Sequence, residues 1–158
     1  MSLLSETYKT ALLQTKRGNC RGVYSNAKPI YVLSLIDAID EGCIIGNKIT
    51  FDNEELVRLY SYNYNNPEHK EDMLRKSNMK TTAFYMPFFH LNAEPYYHIK
   101  WLEGTEIPKQ ALSPSAKFLR EHVDYAYLDD GLWELLQDAD TRQEFRQAII
   151  NHYLTSTE

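Results

Sequence analysis

Side chains able to do acid–base, nucleophilic or metal chemistry are scattered along this sequence rather than grouped. No histidine stands beside an acidic residue or a cysteine at the spacing of a metal site. Motifs for phosphate loops, GxSxG nucleophile elbows and HExxH zinc sites are absent. Asp129 and Asp130 form a carboxylate pair, but their place before a helical segment favours helix capping. The sequence therefore predicts no catalytic residue, no metal site and no cofactor on this chain. The histidines are His69, His90, His98, His122 and His152.

Binding of an anion is better supported, because one loop carries cations directly into a helix. In GNCRGVYSNAKP (residues 18–29), Arg21 and Tyr24 lead to Lys28 at the start of the helix. Loop amides, cations and the positive end of a helix dipole all favour a phosphate at such a position. A connector whose cations are merely solvated fits the same pattern.

A second segment, FYMPFFHL (residues 84–91), gathers apolar and aromatic side chains around Pro87. A tight turn here either packs in the core or presents an apolar pocket at the surface. Core packing is the commoner role for such residues.

Charge is unevenly distributed along the chain, which has a net charge of −5. Residues 1–28 hold five basic residues against one acid, whereas residues 121–158 hold two against nine acidic ones. A basic first segment is able to meet phosphate while the acidic part faces elsewhere. Chance clustering of solvated charges explains the same counts.

Hydrophobic periodicity predicts mostly helical structure in the first half. Residues 3–15 space their apolar side chains as an amphipathic helix. Residues 28–41 are apolar over most of the helix surface, which predicts the central helix of the core, with Pro29 in the first helical position. Asp52 followed by Glu55 is a capping box that begins a third helix.

Alternating apolar residues predict three short strands or extended links in the remainder of the chain. Asp129 caps one further helix, and Asp140 or Thr141 caps a final one. Residues 67–82 are polar and lack periodicity, which predicts an irregular segment. We therefore expect a mainly α fold with a few short strands (α+β), in a single domain over residues 1–158. The extended segments are residues 47–51, 96–102 and 123–128.

Composition is that of an intracellular domain. The two cysteines, Cys20 and Cys43, are isolated from each other, which predicts free thiols. No apolar run approaches the length of a membrane span, and the first residues lack the layout of a signal peptide. We expect a cytoplasmic protein without a membrane partner.

Three features occur in an order that resembles one module of bacterial restriction enzymes. Lys28-Pro29 opens the apolar helix, PFFHL (residues 87–91) follows in the middle, and LDDGLWELL (residues 128–136) begins the closing helices. This order resembles the DNA sulfur-binding domain that precedes an HNH nuclease domain in phosphorothioate-dependent, type IV restriction endonucleases. The resemblance covers nearly the whole chain.

The resemblance implies a reader module that binds double-stranded DNA, with phosphorothioate or another modification as its target. Sulfur is larger and less strongly hydrated than oxygen, so an apolar concavity favours it. Met86, Pro87 and His90 are implied to form that sulfur pocket. Arg21, Tyr24 and Lys28 are implied to contact the DNA backbone, and we expect Arg75 and Lys100 to contact DNA on the same face.

The HNH residues of the family do not follow the module here. The resemblance therefore implies a reader that works alone or with a separate nuclease subunit, without cleavage by this chain. Three positions depart from the family pattern, namely Ala27, Met86 and His90.

Two other functions fit the sequence. A protein-interaction or structural subunit, either a homodimer or a partner of a nuclease, is favoured by the tyrosine-rich run at residues 60–64 and by the acidic C-terminal half. A metal-dependent nuclease acting through His90, Glu94 and His98 is the third hypothesis.

Overall fold

Seven α-helices and two small antiparallel sheets form the part of the chain that this computed structural model describes, residues 2–20, 23–66 and 82–154. A 3-10 turn (Leu91–Ala93) follows the fourth helix, and a π-helical turn (Ile150–Leu154) follows the last. The predicted mainly α fold with a few short strands is confirmed. The helices are α1 (Leu3–Leu13), α2 (Ala27–Asp40), α3 (Glu54–Tyr64), α4 (Tyr85–His90), α5 (Ala116–His122), α6 (Asp130–Leu135) and α7 (Ala139–Ile149). The strands are β1 (Asn19–Cys20), β2 (Val23–Tyr24), β3 (Tyr97–Trp101) and β4 (Val123–Leu128).

Helix α2 lies at the centre of the core, as its apolar surface predicts. Eleven of its 14 residues are buried, and α3, α4 and α7 all pack against it. The helix begins at Ala27, so Pro29 is its third residue rather than its first. Proline is still tolerated there, because the N–H groups of the first turn have no partner within the helix.

The aromatic segment around Pro87 forms α4 and packs in the core. Phe88 and Phe89 are buried. The ring of Tyr31 on α2 meets those of Phe88 and Tyr97 edge-on, at centroid distances of 6.3 and 5.8 Å. Tyr97 Oη donates to the Phe88 carbonyl at 2.7 Å and lies 2.9 Å from Tyr31 Oη. Burial raises the pKa of both tyrosines, so both hydroxyls stay protonated and paired.

Strands β3 and β4 form an antiparallel pair whose inner face covers the core. Tyr97, Ile99 and Trp101 of β3 turn inward against it. The register shifts near the end of the pair, so that Trp101 faces Val123 and Asp124 remains as an extra residue in a β-bulge. The bulge decides which side chains of β4 face outward.

The segment predicted at residues 47–51 is an extended link that makes one bridge. Ile49 and Ala126 exchange backbone hydrogen bonds of 2.7 and 2.8 Å. The Asn47 side chain exchanges two more with the backbone of Leu128. The link therefore pairs with the edge of β4 that β3 leaves open.

Two helix caps lie close to the predicted residues but not at them. Asn53 caps α3 in place of Asp52, through its side-chain oxygen. Asp138 caps α7 in place of Asp140 or Thr141. Both capping residues have the extended backbone that lets a side-chain oxygen reach the first free N–H groups of the helix.

Two other segments bear on the predictions. The loop predicted between α1 and α2 contains a short hairpin, in which β1 pairs with β2. The irregular segment predicted over residues 67–82 lies outside the described residues except for its last position. None of the described helices is both long and apolar enough to cross a bilayer.

Replacing Phe88 tests the importance of the aromatic core. Phe88→Ala removes a fully buried ring from contact with Tyr31 and Tyr97. We expect the free energy of unfolding, measured by urea denaturation, to fall by about 3–5 kcal/mol. Ile45→Ala, at a side chain that is 87% exposed, is the control and should change it by less than about 0.5 kcal/mol. Equal effects of the two substitutions would contradict this account of the core.

Candidate functional site

Cationic side chains surround the amino end of α2. Lys28 is the second residue of the helix and exposes 16% of its side chain. The Arg17 guanidinium reaches the same end, because it donates to the side chain of Asn26, the residue before the helix, at 2.9 Å. Lys16 is near enough to act on Lys28 electrostatically. Three positive charges therefore lie at the positive end of the helix dipole.

Glu94 is a carboxylate that faces these cations. It is 7% exposed, its Oε2 accepts the backbone N–H of Lys16 at 3.3 Å, and the same oxygen lies 3.8 Å from Lys28 Nζ. Burial lowers the pKa of Lys28, the charge of Glu94 opposes that shift, and the charge of Lys16 adds to it. Glu94 thus compensates part of the positive charge of Lys28.

His90, at the end of α4, adds a polar group next to Lys28. Its Nε2 lies 3.1 Å from Ser113 Oγ. Burial lowers the pKa of His90, the charge of Lys28 lowers it further, and a hydrogen bond with Gln110 opposes the shift. The imidazole is therefore uncharged at neutral pH, with one ring nitrogen able to donate and the other able to accept in its hydrogen bonds with Ser113 and Gln110.

Two of the predicted site residues, Lys28 and His90, are near enough for the charge of Lys28 to lower the pKa of the imidazole. Met86 is half-buried and Pro87 is buried in α4, the helix that His90 ends. Lys100 lies elsewhere, because it points outward from β3 while its neighbour in the strand, Trp101, points toward the core. Arg21, Arg75 and the side chain of Tyr24 lie outside what the structure describes.

Sequence reasoning missed Lys16, Arg17 and Glu94 as members of this cluster. Lys16 and Arg17 lie beyond the end of α1 at Leu13, in the stretch that runs to the start of α2. A signal was present, since both residues belong to the basic stretch of residues 1–28. Glu94 had no local signal, because it reaches the cluster from the turn after α4.

The charge separation along the sequence is only partly a separation in space. Lys9 of the basic first segment forms an ion pair of 3.2 Å with Glu144 of α7. Arg146 of α7 likewise reaches back to Asp37 of α2 at 2.7 Å. Among the described cations of the first segment, Lys9 is thus paired on α1, whereas Lys16, Arg17 and Lys28 lie toward the amino end of α2.

Asp129 occupies the N-cap position of α6, as predicted, but its side chain does not cap the helix. That side chain instead accepts hydrogen bonds from Tyr8 Oη, at 3.0 Å, and from His98 Nε2. Two side chains distant in sequence therefore outcompete the local N–H groups of the helix. Asp129 also fixes the orientation of the His98 ring at the end of β3.

The comparisons with known proteins return no match: no protein-family model and no curated protein matches the chain. Within residues 2–20, 23–66 and 82–154, no group of three or more histidine, cysteine, aspartate or glutamate side chains is arranged to hold a metal ion. The candidate function therefore depends on the geometry of the chain itself.

The pKa of His90 generates a pH dependence of stability. An unfolded histidine titrates near pH 6.5, and the folded pKa of His90 is lower. As the pH falls below about 6.5, the unfolded state takes up a proton first, so the free energy of unfolding decreases until the pH reaches the folded pKa. We expect His90→Gln to lose less stability than the wild type between pH 7 and the mildly acidic range, measured by urea denaturation at each pH. An identical pH dependence in the two proteins would contradict the lowered pKa.

Proposed function

We propose that this chain is a DNA-binding reader module that holds the phosphate backbone at the amino end of α2. The observation that carries the proposal is the convergence of Lys16, Arg17 and Lys28 on this end of a 14-residue helix. The resemblance to sulfur-binding domains of restriction enzymes supports the same surface, since Lys28 is implied there to contact DNA.

The physical argument concerns the largely buried ammonium group of Lys28. Burial removes part of the water that stabilises its charge. The carboxylate of Glu94, 3.8 Å away, stabilises that charge again but does not fully offset the lost hydration, because the pKa of Lys28 stays lowered. A DNA phosphate approaching this end of the helix would add a second negative charge, opposite the helix dipole and the guanidinium of Arg17. Attraction is strongest for a polyanion, because a neighbouring phosphate is able to meet Lys16 at the same time.

Recognition of a modified backbone, in this proposal, falls to Met86 and His90. They are the half-buried members of the implied sulfur pocket, whereas Pro87 is buried. Sulfur is less strongly hydrated than oxygen, so it loses less hydration than an oxygen anion would on packing against a thioether and an uncharged imidazole. Cleavage of the bound DNA would require a nuclease on another chain.

Binding of a short labelled duplex, followed by fluorescence anisotropy over a range of salt concentrations, tests the backbone contact. Lys28→Gln and Arg17→Gln should each weaken binding at low salt and reduce the slope of log affinity against log salt by roughly one. Lys117→Gln removes an exposed lysine of α5 and is the matched control. It should leave both the affinity for the duplex at low salt and the salt slope close to those of the wild type.

Absence of duplex binding by the wild-type protein, or equal salt slopes in Lys28→Gln and Lys117→Gln, would overturn the proposal. A mass that rises with protein concentration, together with no duplex binding, would instead support the protein-interaction subunit. The same titration with a phosphorothioate duplex tests the modification. Tighter binding than to the plain duplex supports reading of the modification, and equal binding removes it.

A further inference from the structure

The outer face of the β3–β4 sheet carries a row of aromatic rings that the DNA contact at α2 does not use. His98 pairs with Tyr127 across the sheet, and Lys100 pairs with Tyr125. All four side chains point away from the core, because their neighbours along each strand point toward it. The face is therefore opposite to the one from which Tyr97 contacts Tyr31 of α2 and Phe88 of α4.

The rings on this face are in contact with one another. The centroids of His98 and Tyr127 lie 5.1 Å apart, and those of Tyr127 and Tyr125 lie 5.9 Å apart. Asp129 holds the first ring of the row through His98 Nε2. Three rings thus form a continuous, partly exposed strip with one end fixed by a hydrogen bond.

Two exposed lysines flank the strip from opposite edges. Lys48 comes from the extended link and lies 5.1 Å from the centroid of the Tyr125 ring, whereas Lys100 comes from β3 and lies 5.9 Å from it. Asp124, at the bulge, is an exposed acidic neighbour, and the carboxylate of Asp129 is engaged by His98. The centre of the face therefore combines aromatic surface with positive charge.

We propose that this face, formed by His98, Tyr125, Tyr127, Lys48 and Lys100, binds single-stranded nucleic acid. Bases would stack on the rings, and phosphates between them would meet the two ammonium groups. This pairing of chemical groups matches a nucleotide chain, which alternates an aromatic base with a negative charge. An acidic peptide would supply the charge without the aromatic partners.

The spacing and tilt of the rings favour a single strand over a duplex. Bases in a helix stack at about 3.4 Å and present only their edges in the grooves. Here the neighbouring rings are 5.9 Å apart and inclined by 60° for the two tyrosines, and 5.1 Å apart and inclined by 34° for His98 and Tyr127. Because neighbouring rings are neither parallel nor at stacking distance, a base that stacks on one ring is not stacked on the base beside it, which requires bases that are free to turn out of a stack.

The test is a titration of labelled oligothymidylate, followed by fluorescence anisotropy. Tyr125→Ala and Tyr127→Ala should each weaken binding by roughly tenfold or more, the loss expected for one stacked base. Tyr62→Ala, at an exposed tyrosine of α3 (66% exposed), is the matched control and should bind as the wild type does.

A second variant, with Lys48→Gln and Lys100→Gln combined, changes only exposed side chains and so preserves the fold. It should lower the slope of log affinity against log salt by roughly 1.4, the value for two contacts to a single strand. No binding of the oligonucleotide, or equal binding by Tyr127→Ala and Tyr62→Ala, would overturn the inference.

The variant Lys28→Gln separates this inference from the proposed function, on which it does not rest. It should bind the single strand as the wild type does while losing duplex affinity. If Lys28→Gln weakens both, the single strand binds at α2 and the inference is wrong. If no duplex binds but single-strand binding depends on Tyr127, the inference stands and the duplex proposal fails.

Discussion

Two tyrosine hydroxyls, buried among aromatic rings, join the three elements from which both surfaces are built. Tyr31 belongs to α2, Tyr97 belongs to β3, and the carbonyl that completes the chain of hydrogen bonds belongs to Phe88 of α4. Leaving one of these buried groups without a partner would cost roughly 1–3 kcal/mol. Aromatic contacts alone tolerate some sliding of one element over another, but a chain of short hydrogen bonds does not. The hydroxyls therefore impose one relative placement on the helix, the strand and the short helix between them.

That placement determines where the polar groups lie. Lys28 precedes Tyr31 by about one helical turn, so the position of the Tyr31 hydroxyl also sets the position of the amino end of α2. His98 directly follows Tyr97 in β3 and must point to the opposite side of the sheet. The hydrogen bond between Tyr31 and Tyr97 therefore helps to position both the cations at the start of α2 and the rings on the outer face of the sheet.

The sequence allows prediction of those features that are encoded locally. Apolar periodicity is a local property, and it correctly places the central helix and the strand at residues 123–128. Helix caps are less certain, because several neighbouring polar residues are able to serve and the backbone conformation chooses among them. Asp129 shows the limit of the local rule, since partners from α1 and β3 take its side chain away from the helix. The meeting of Lys16 with Glu94 was beyond prediction, because nothing in either segment specifies contact with a residue so far along the chain.

The β-bulge at Asp124 changes which positions of β4 face the core. Under strict alternation, Val123 would share a side with Tyr125 and Tyr127, and either the valine would be exposed or the tyrosines would be buried. The surplus residue reverses the parity of the strand part-way along, so that Val123 and Ala126 both reach the core while the two tyrosines remain outside. The six-residue strand therefore consists of two parts whose inward and outward positions differ by one residue. This single extra residue lets the strand bury its apolar side chains and still present a row of aromatic rings to solvent.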